Sequence, residues 1–307
     1  MRFLLALAFL SVPAQAQTIA LEMPLNCTLG EDCFIQQYVD ADPGPGARDY
    51  TGGPLSYDGH RGTDFRVADL EAMAEGVAVL APADGVIRGI RDGMADRIIA
   101  DRSEVANREC GNGVAIDHGN GWSTQLCHLA KGSVSVAVGD QVVTGQAIGL
   151  MGISGATQFP HVHVTVRQDG VVVDPFVENL WRESPPYEPG GFLSVGLADD
   201  VPTFGAVKAG TADAQRLPPD APALVVWAAL FGGRTGDVVS LRIFGPEGED
   251  VFSHDATLDR TQAELFRAAG RRLRGAEWPA GSYRGTAVLT RDGAVIDRIE
   301  TEIPIGG

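Results

Sequence analysis

The 307-residue sequence has few basic side chains, few cysteines and no long apolar run beyond its first residues, and each shortage narrows what the chain can be. With 40 acidic and 24 basic residues the formal charge is −16. Phosphate backbones require a basic surface, so no nucleic-acid partner is expected, nor electrostatic capture on an anionic envelope. No stretch past the N-terminus approaches the roughly 20 apolar residues needed to cross a bilayer, so no membrane span is expected. The four cysteines, Cys27, Cys33, Cys110 and Cys127, contain no close C-x₂₋₄-C pair, which argues against a four-cysteine zinc site. H-E-x-x-H is absent, which removes the metallopeptidase pattern that carries its own adjacent glutamate. Long helical periodicity is missing too. What recurs is short strand-like segments punctuated by glycine, the signature of an all-β protein.

At the N-terminus, Met1-Arg2 precedes the apolar run Phe3 to Leu10, and Ala14-Gln15-Ala16 supplies small residues for cleavage. Residues 1–16 thus read as a secretory signal peptide, with the mature chain starting near Gln17 and no cysteine there to carry a lipid. Export to a periplasmic or extracellular compartment follows, where thiols oxidise. The expected bridges are Cys27 with Cys33, which bracket a short loop, and Cys110 with Cys127, which flank two adjacent strands. Length and a 44% apolar content suit two domains, each with its own core.

The most informative stretch is Phe159-Pro160-His161-Val162-His163-Val164-Thr165-Val166-Arg167. It alternates and is rich in valine, so it reads as a strand with both imidazoles on one face, their Cα atoms about 6.5 Å apart. Upstream, His60-Arg61-Gly62-Thr63-Asp64 places a histidine and a carboxylate four apart. On an extended strand they would be about 13 Å apart, too far to share an ion, so the chain must bend there, and Gly62 supplies a permissive backbone. His128 ends a further strand, Trp122 to Leu129, in which Cys127 is expected to face away from it. His118 sits in turn chemistry, Asp-His-Gly-Asn-Gly, and His254 lies among charged residues; neither is expected at a metal.

Three segments, GHRGTDF, GNGVAIDHGNGWSTQLCHL and SGATQFPHVHVTVR, resemble in order the motif blocks of the lysostaphin/LytM-type zinc metallopeptidases, which cut peptide bonds in peptidoglycan. The likeness spans about residues 45 to 176. It implies a two-layer antiparallel sheet with the site in a groove, Zn²⁺ as cofactor, and peptidoglycan peptide cross-links as the partner. Carried over residue by residue, it implies His60, Asp64 and His163 as metal ligands, with His128 and His161 assisting catalysis. The implied activity is that of a zinc endopeptidase on those cross-links, and the alternative is a non-catalytic relative that binds or regulates cell-wall hydrolases. Two neutral imidazoles and a carboxylate leave Zn²⁺ with net charge and an open position, the pattern of catalytic sites. Because ligands and bases alike must be neutral to work, activity is expected to fall as pH drops through the histidine range, near an unperturbed value of about 6.5.

The rest of the chain divides around that domain. An N-terminal extension with a disulfide loop is expected over 17–44, the peptidase domain over 45–180, a linker over 181–200 and a β-sandwich, immunoglobulin-like, over 201–307. The charged segment from Arg91 to Glu109 reads as a loop, either rimming the groove or simply solvated. Val134 to Val138 reads as a strand leading to the turn at Gly139-Asp140. Ala223 to Phe231, Val238 to Phe244, Tyr283 to Thr290 and Val295 to Ile303 read as strands, with a hairpin turn at Arg291-Asp292-Gly293. Thr261-Gln262-Ala263-Glu264 has capping-box spacing, so a short helix or a strand begins there.

Overall fold

The computed structural model describes residues 18–306; the signal peptide expected over 1–16 lies outside them. In the first half the elements are β1 (Phe34–Gln37), β2 (Thr63–Arg66), helix α1 (Leu70–Ala74), β3 (Ala78–Leu80), β4 (Gly85–Arg91), β5 (Asn112–Gly119), β6 (Trp122–Leu129), β7 (Gln141–Val142), β8 (Ala147–Leu150), β9 (His161–Gln168) and β10 (Val171–Val173). An eight-stranded sheet runs β1-β2-β9-β6-β5-β4-β7, with β10 on β9, and β3 pairs with β8 in a second layer. Every pairing is antiparallel. Alternation sorts the faces: Phe65, Leu126, Val162, Val164 and Val166 enter one core, so their neighbours in sequence point to the other face.

Residues assigned to an N-terminal extension belong to this body. Leu21, Leu25, Ile35 and Tyr38 are buried in the same core, and β1 is the sheet's edge strand, because apolar side chains spaced along 21–38 have no other core to enter. The strand expected over Val134 to Val138 does not form a ladder. The Arg91 to Glu109 segment is mainly loop with one short 3-10 turn, anchored by buried Ile99 and Val105.

The second half contains β11 (Gly191–Ala198), helix α2 (Phe204–Ala209), β12 (Ala223–Gly233), β13 (Val238–Phe244), β14 (Asp250–Thr257), β15 (Gln262–Arg272), β16 (Gly281–Arg291) and β17 (Ala294–Ile305). A three-stranded sheet β11-β12-β15 faces a four-stranded sheet β14-β13-β16-β17 across a core of Leu197, Leu224, Val226, Leu241, Ile243 and Leu289. The Tyr283 hydroxyl donates to Pro279 O at 3.0 Å, a corner device found in immunoglobulin-like sandwiches. One expectation is corrected and one alternative is decided. Residues 191–198, assigned to the linker, are β11, whose Phe192 and Leu197 are core residues. Thr261 to Glu264 opens a strand rather than a helix, since β15 pairs along the whole of β12 and a long ladder outweighs one capping signal.

The two halves meet at the β1 edge. Phe34 packs on Phe231 with ring centroids 5.8 Å apart, inside a cluster that includes Leu193, Val207 and Trp227.

Candidate metal centre

Adjacent strands bring the histidines and the aspartate together. In the β2–β9 ladder Asp64 is paired with His163 and Arg66 with His161, so these four side chains share the face opposite the valine core. His60 precedes β2 and reaches the same point through the bend after Gly59, whose φ is +72°. Gly62 has a different role from the one expected: a Cβ there would lie 2.6 Å from His163 Nε2 and from Val164 O, so the position requires space.

His60 Nε2 is 3.2 Å from Asp64 Oδ1 and 3.1 Å from His163 Nδ1, and His163 Nδ1 is 2.8 Å from Asp64 Oδ1. A tetrahedral ion with arms of about 2.0–2.1 Å separates its ligand atoms by about 3.3 Å, close to this triangle. The far nitrogens support the same reading. His60 Nδ1 is 2.7 Å from Tyr38 O, an acceptor only, so Nδ1 carries the proton and Nε2 a lone pair. His163 Nε2 is 3.1 Å from Thr165 Oγ1, which can accept its proton and leave Nδ1 bare. Two lone pairs and a carboxylate oxygen then converge with no proton to share, a donor set that fits a divalent cation. Asp64 is 2% exposed; burial opposes its charge, but the surrounding histidines outweigh that and hold its carboxyl well below the usual range. His60 is raised despite burial because Asp64 lies beside it.

The other two predicted residues flank the triangle. His161 Nε2 is 3.6 Å from Asp64 Oδ1, and its Nδ1–H donates to Phe159 O at 3.0 Å. His128 Nδ1–H donates to Ser154 O at 2.7 Å, and its ring centroid is 4.6 Å from that of His161. Burial pushes His161 down to about 4 and His128 well below the ordinary value, so both are neutral across the range where acid loss was expected. His128 also departs from its strand. Leu126 faces the core, so strict alternation would send His128 inward with it, yet its φ of +67° turns the ring into the groove. Cys127, expected to face away from it, lines the groove beside it. The left-handed backbone at His128 is the reason.

The bridges Cys27–Cys33 and Cys110–Cys127 are both formed, leaving no free cysteine among the described residues. His118, in β5, bonds Asp84 O and Thr124 Oγ1 away from the centre, and His254 is exposed on β14. The sequence reading passed over two contributors. Thr165, two residues past His163 on the same strand face, was findable from that spacing. Tyr57, with its ring 4.4 Å from the His60 ring, was hidden in a turn.

Residues 58–175 match Peptidase family M23. Among curated relatives, the peptidoglycan DD-endopeptidase ShyA of Vibrio cholerae is 33% identical over 121 residues, covering 39% of this chain and 23% of ShyA. The DD-carboxypeptidase/endopeptidase Mpg of Neisseria meningitidis is 34% identical over 118 residues, covering 38% of this chain and 22% of Mpg. The chain thus spans under a quarter of the length of these relatives. Among solved structures, the catalytic domain of lysostaphin from Staphylococcus simulans is 22% identical, with 46% of this chain and 87% of that one covered at a TM-score of 0.31. The segment from Asp58 to Pro175 that matches this family carries all five predicted site residues.

Proposed function

We propose that this chain is an exported zinc endopeptidase that hydrolyses peptide cross-links of peptidoglycan, with His60, Asp64 and His163 holding the metal and His128 and His161 handling protons. The observation that carries the reading is the convergence of the three donor atoms within 2.8–3.2 Å, flanked by two further imidazoles whose Nε2 atoms are not spent on the fold. When bound, zinc supplies Lewis acidity toward a peptide carbonyl and toward water. His161, a lone-pair acceptor at Nε2, takes a proton from the attacking water, and Asp64 at 3.6 Å favours the resulting positive charge. His128, fixed by Ser154 O, offers a second acceptor across the groove. As water oxygen bonds the carbonyl carbon and the C–N bond breaks, the protonated imidazole returns its proton to the leaving amine. Loops over Arg102 and over Ala156 to Gln158 line the same groove.

Purified sacculi incubated with the zinc-loaded protein should release peptides with one new amine and one new carboxyl per cut, identified by mass spectrometry. Zinc binding and retention on sacculi with no new termini would instead make the protein a binder or regulator of wall hydrolases.

A further inference from the structure

The groove does not end at the peptidase sheet. A cavity of about 670 Å³ has Asp64, His128 and His161 on one side and, from the sandwich, Lys208, Arg260 and Glu264 on the other. This second wall is pinned. Arg66, 1% exposed and paired with His161 in the β2–β9 ladder, donates to Glu264 Oε1 at 3.0 Å and to Ala68 O at 2.9 Å. Glu264 Oε2 in turn lies 3.2 Å from Lys208 Nζ. The guanidinium of Arg66 also lies 4.9 Å over the Phe159 ring, which stacks on His161 at 4.3 Å. One carboxylate thereby serves two cations and ties β15 and α2 to the strand pair that carries the metal centre. Arg66 is buried and Glu264 and Lys208 are partly covered, so breaking the Arg66–Glu264 pair would leave a buried guanidinium short of its partner, and the wall keeps its register with the reacting residues.

The charge on this wall is opposite to that of the chain. In a protein of formal charge −16, the cavity is edged by exposed Arg260 and Arg102 and by Lys208, while Glu264 is occupied by Arg66 and Lys208. Arg260 makes no ion pair among the described residues. A concave site that gathers cations in an acidic protein focuses potential on an anion.

We propose that the C-terminal sandwich is the second wall of the substrate groove, and that Lys208 and Arg260, with Arg102 opposite, form a subsite for a free carboxylate carried by the peptide bound at the metal centre. This rests on the peptidase reading above. The sandwich then contributes specificity for acidic peptides, and the subsite depends on both halves being present in one chain.

The test uses the full zinc-loaded chain and a synthetic cross-linked peptide dimer prepared in two forms, with its carboxylates free or amidated. The parent protein should prefer the free form in kcat/KM by about 5- to 30-fold, the value of one or two charge-assisted contacts, with the difference in KM. Arg260→Gln, which removes no structural partner, and Lys208→Gln should each shrink that preference, and raised salt should do the same. Equal parent kcat/KM for the two forms, or an undiminished preference in Arg260→Gln, overturns the subsite. If the parent cleaves neither form, the peptidase reading fails by itself, and calorimetric binding of the same two peptides decides the subsite: tighter binding of the free form, lost in Arg260→Gln, supports it, and equal binding overturns it.

Discussion

Each half of the molecule buries a charged cluster, and the two are built differently. In the sandwich, Arg291 donates to both oxygens of Asp237 at 2.9 and 2.8 Å, to Pro189 O at 2.8 Å and to Gly232 O at 3.0 Å. Four of its five N–H donors are spent on protein acceptors. In the first half the same kind of burial leaves capacity over: lone pairs of His60 and His163 converge with an oxygen of Asp64 on one point, and His128 and His161 use one nitrogen each for the fold. A buried polar group with every hydrogen bond closed holds a structure together, whereas one with a lone pair left toward a cavity is poised for a ligand or a proton. Left-handed residues serve both ends. The positive φ of His128 serves to turn a ring into the groove, whereas that of Asp292 merely closes the β16–β17 hairpin.

The comparison is broken most completely at the metal. His60→Ala, Asp64→Ala and His163→Ala should each lose zinc together with activity, because two remaining donors are too few to hold the ion. Zinc content by elemental analysis beside turnover checks this, and stoichiometric zinc at low free metal in any one variant removes that residue from the ligand set. Next come the residues with one nitrogen to spare. His161→Ala and His128→Ala should keep zinc while losing about 10²- to 10⁴-fold in kcat/KM, the usual effect of removing a general acid or base. Should His161→Ala be metal-free while His163→Ala stays loaded, ligand and catalyst are exchanged within H-x-H.

In the sandwich the closed cluster should respond in the opposite currency. Asp237→Ala leaves Arg291 buried and unpaired, for which a loss of about 3–5 kcal/mol of stability is expected. Urea unfolding should show that loss, while turnover per folded molecule stays near the parent value. A large drop in turnover in the folded protein would mean that the sandwich cluster reaches the groove after all.

Much of this was legible in the residues, and where it was not, geometry is the reason. The alternation of 161–166 was enough to place both histidines of H-x-H on one strand face, because a period of two leaves no other choice. That Asp64 lies opposite His163 in an adjacent strand depends on register between segments about a hundred residues apart, which local pattern does not carry; the motif resemblance did. The turned ring of His128 was hidden because a left-handed residue at a strand end looks like any other in sequence. Burial was hidden as well: it holds His161 down at about 4, whereas His60, beside Asp64, is raised, so the histidines of the site do not share one value. In the second half β11 was missed because prolines and glycines just before it suggested a linker, and because Phe192 and Leu197, five apart, reach one core only through the bulge between Phe192 and Ser194, which breaks the alternation. Helix α2 did have signals, Thr203 as its N-cap and Gly210 at its left-handed C-cap, but its six residues are too few for a periodic pattern.

The smallest effect concerns the seam between the two halves, where a carboxyl group is neither closed by a cation nor open to a ligand. Glu188 Oε2 accepts the Ile35 N–H of edge strand β1 at 2.8 Å, and burial, aided by the charge of Asp297, pushes its pKa up to about 7. A carboxyl raised above its unfolded value binds protons more tightly when folded, so its contribution is complete below about pH 4.5 and is lost as pH rises toward 7. The full shift would correspond to about 3 kcal/mol, and partial exposure reduces it to about 1–3 kcal/mol. The metal-site carboxylate Asp64 acts in the other direction and at lower pH, since its pKa is depressed. Subtracting variant from parent removes that background. Glu188→Gln keeps an oxygen for the Ile35 N–H and has no proton to lose. Urea unfolding of the disulfide-intact protein at intervals from pH 4.5 to 7.5 should therefore show parent stability declining relative to Glu188→Gln as pH rises. Parallel curves would mean that Glu188 is solvated at the seam and that the two halves meet there less tightly than the Phe34–Phe231 contact implies.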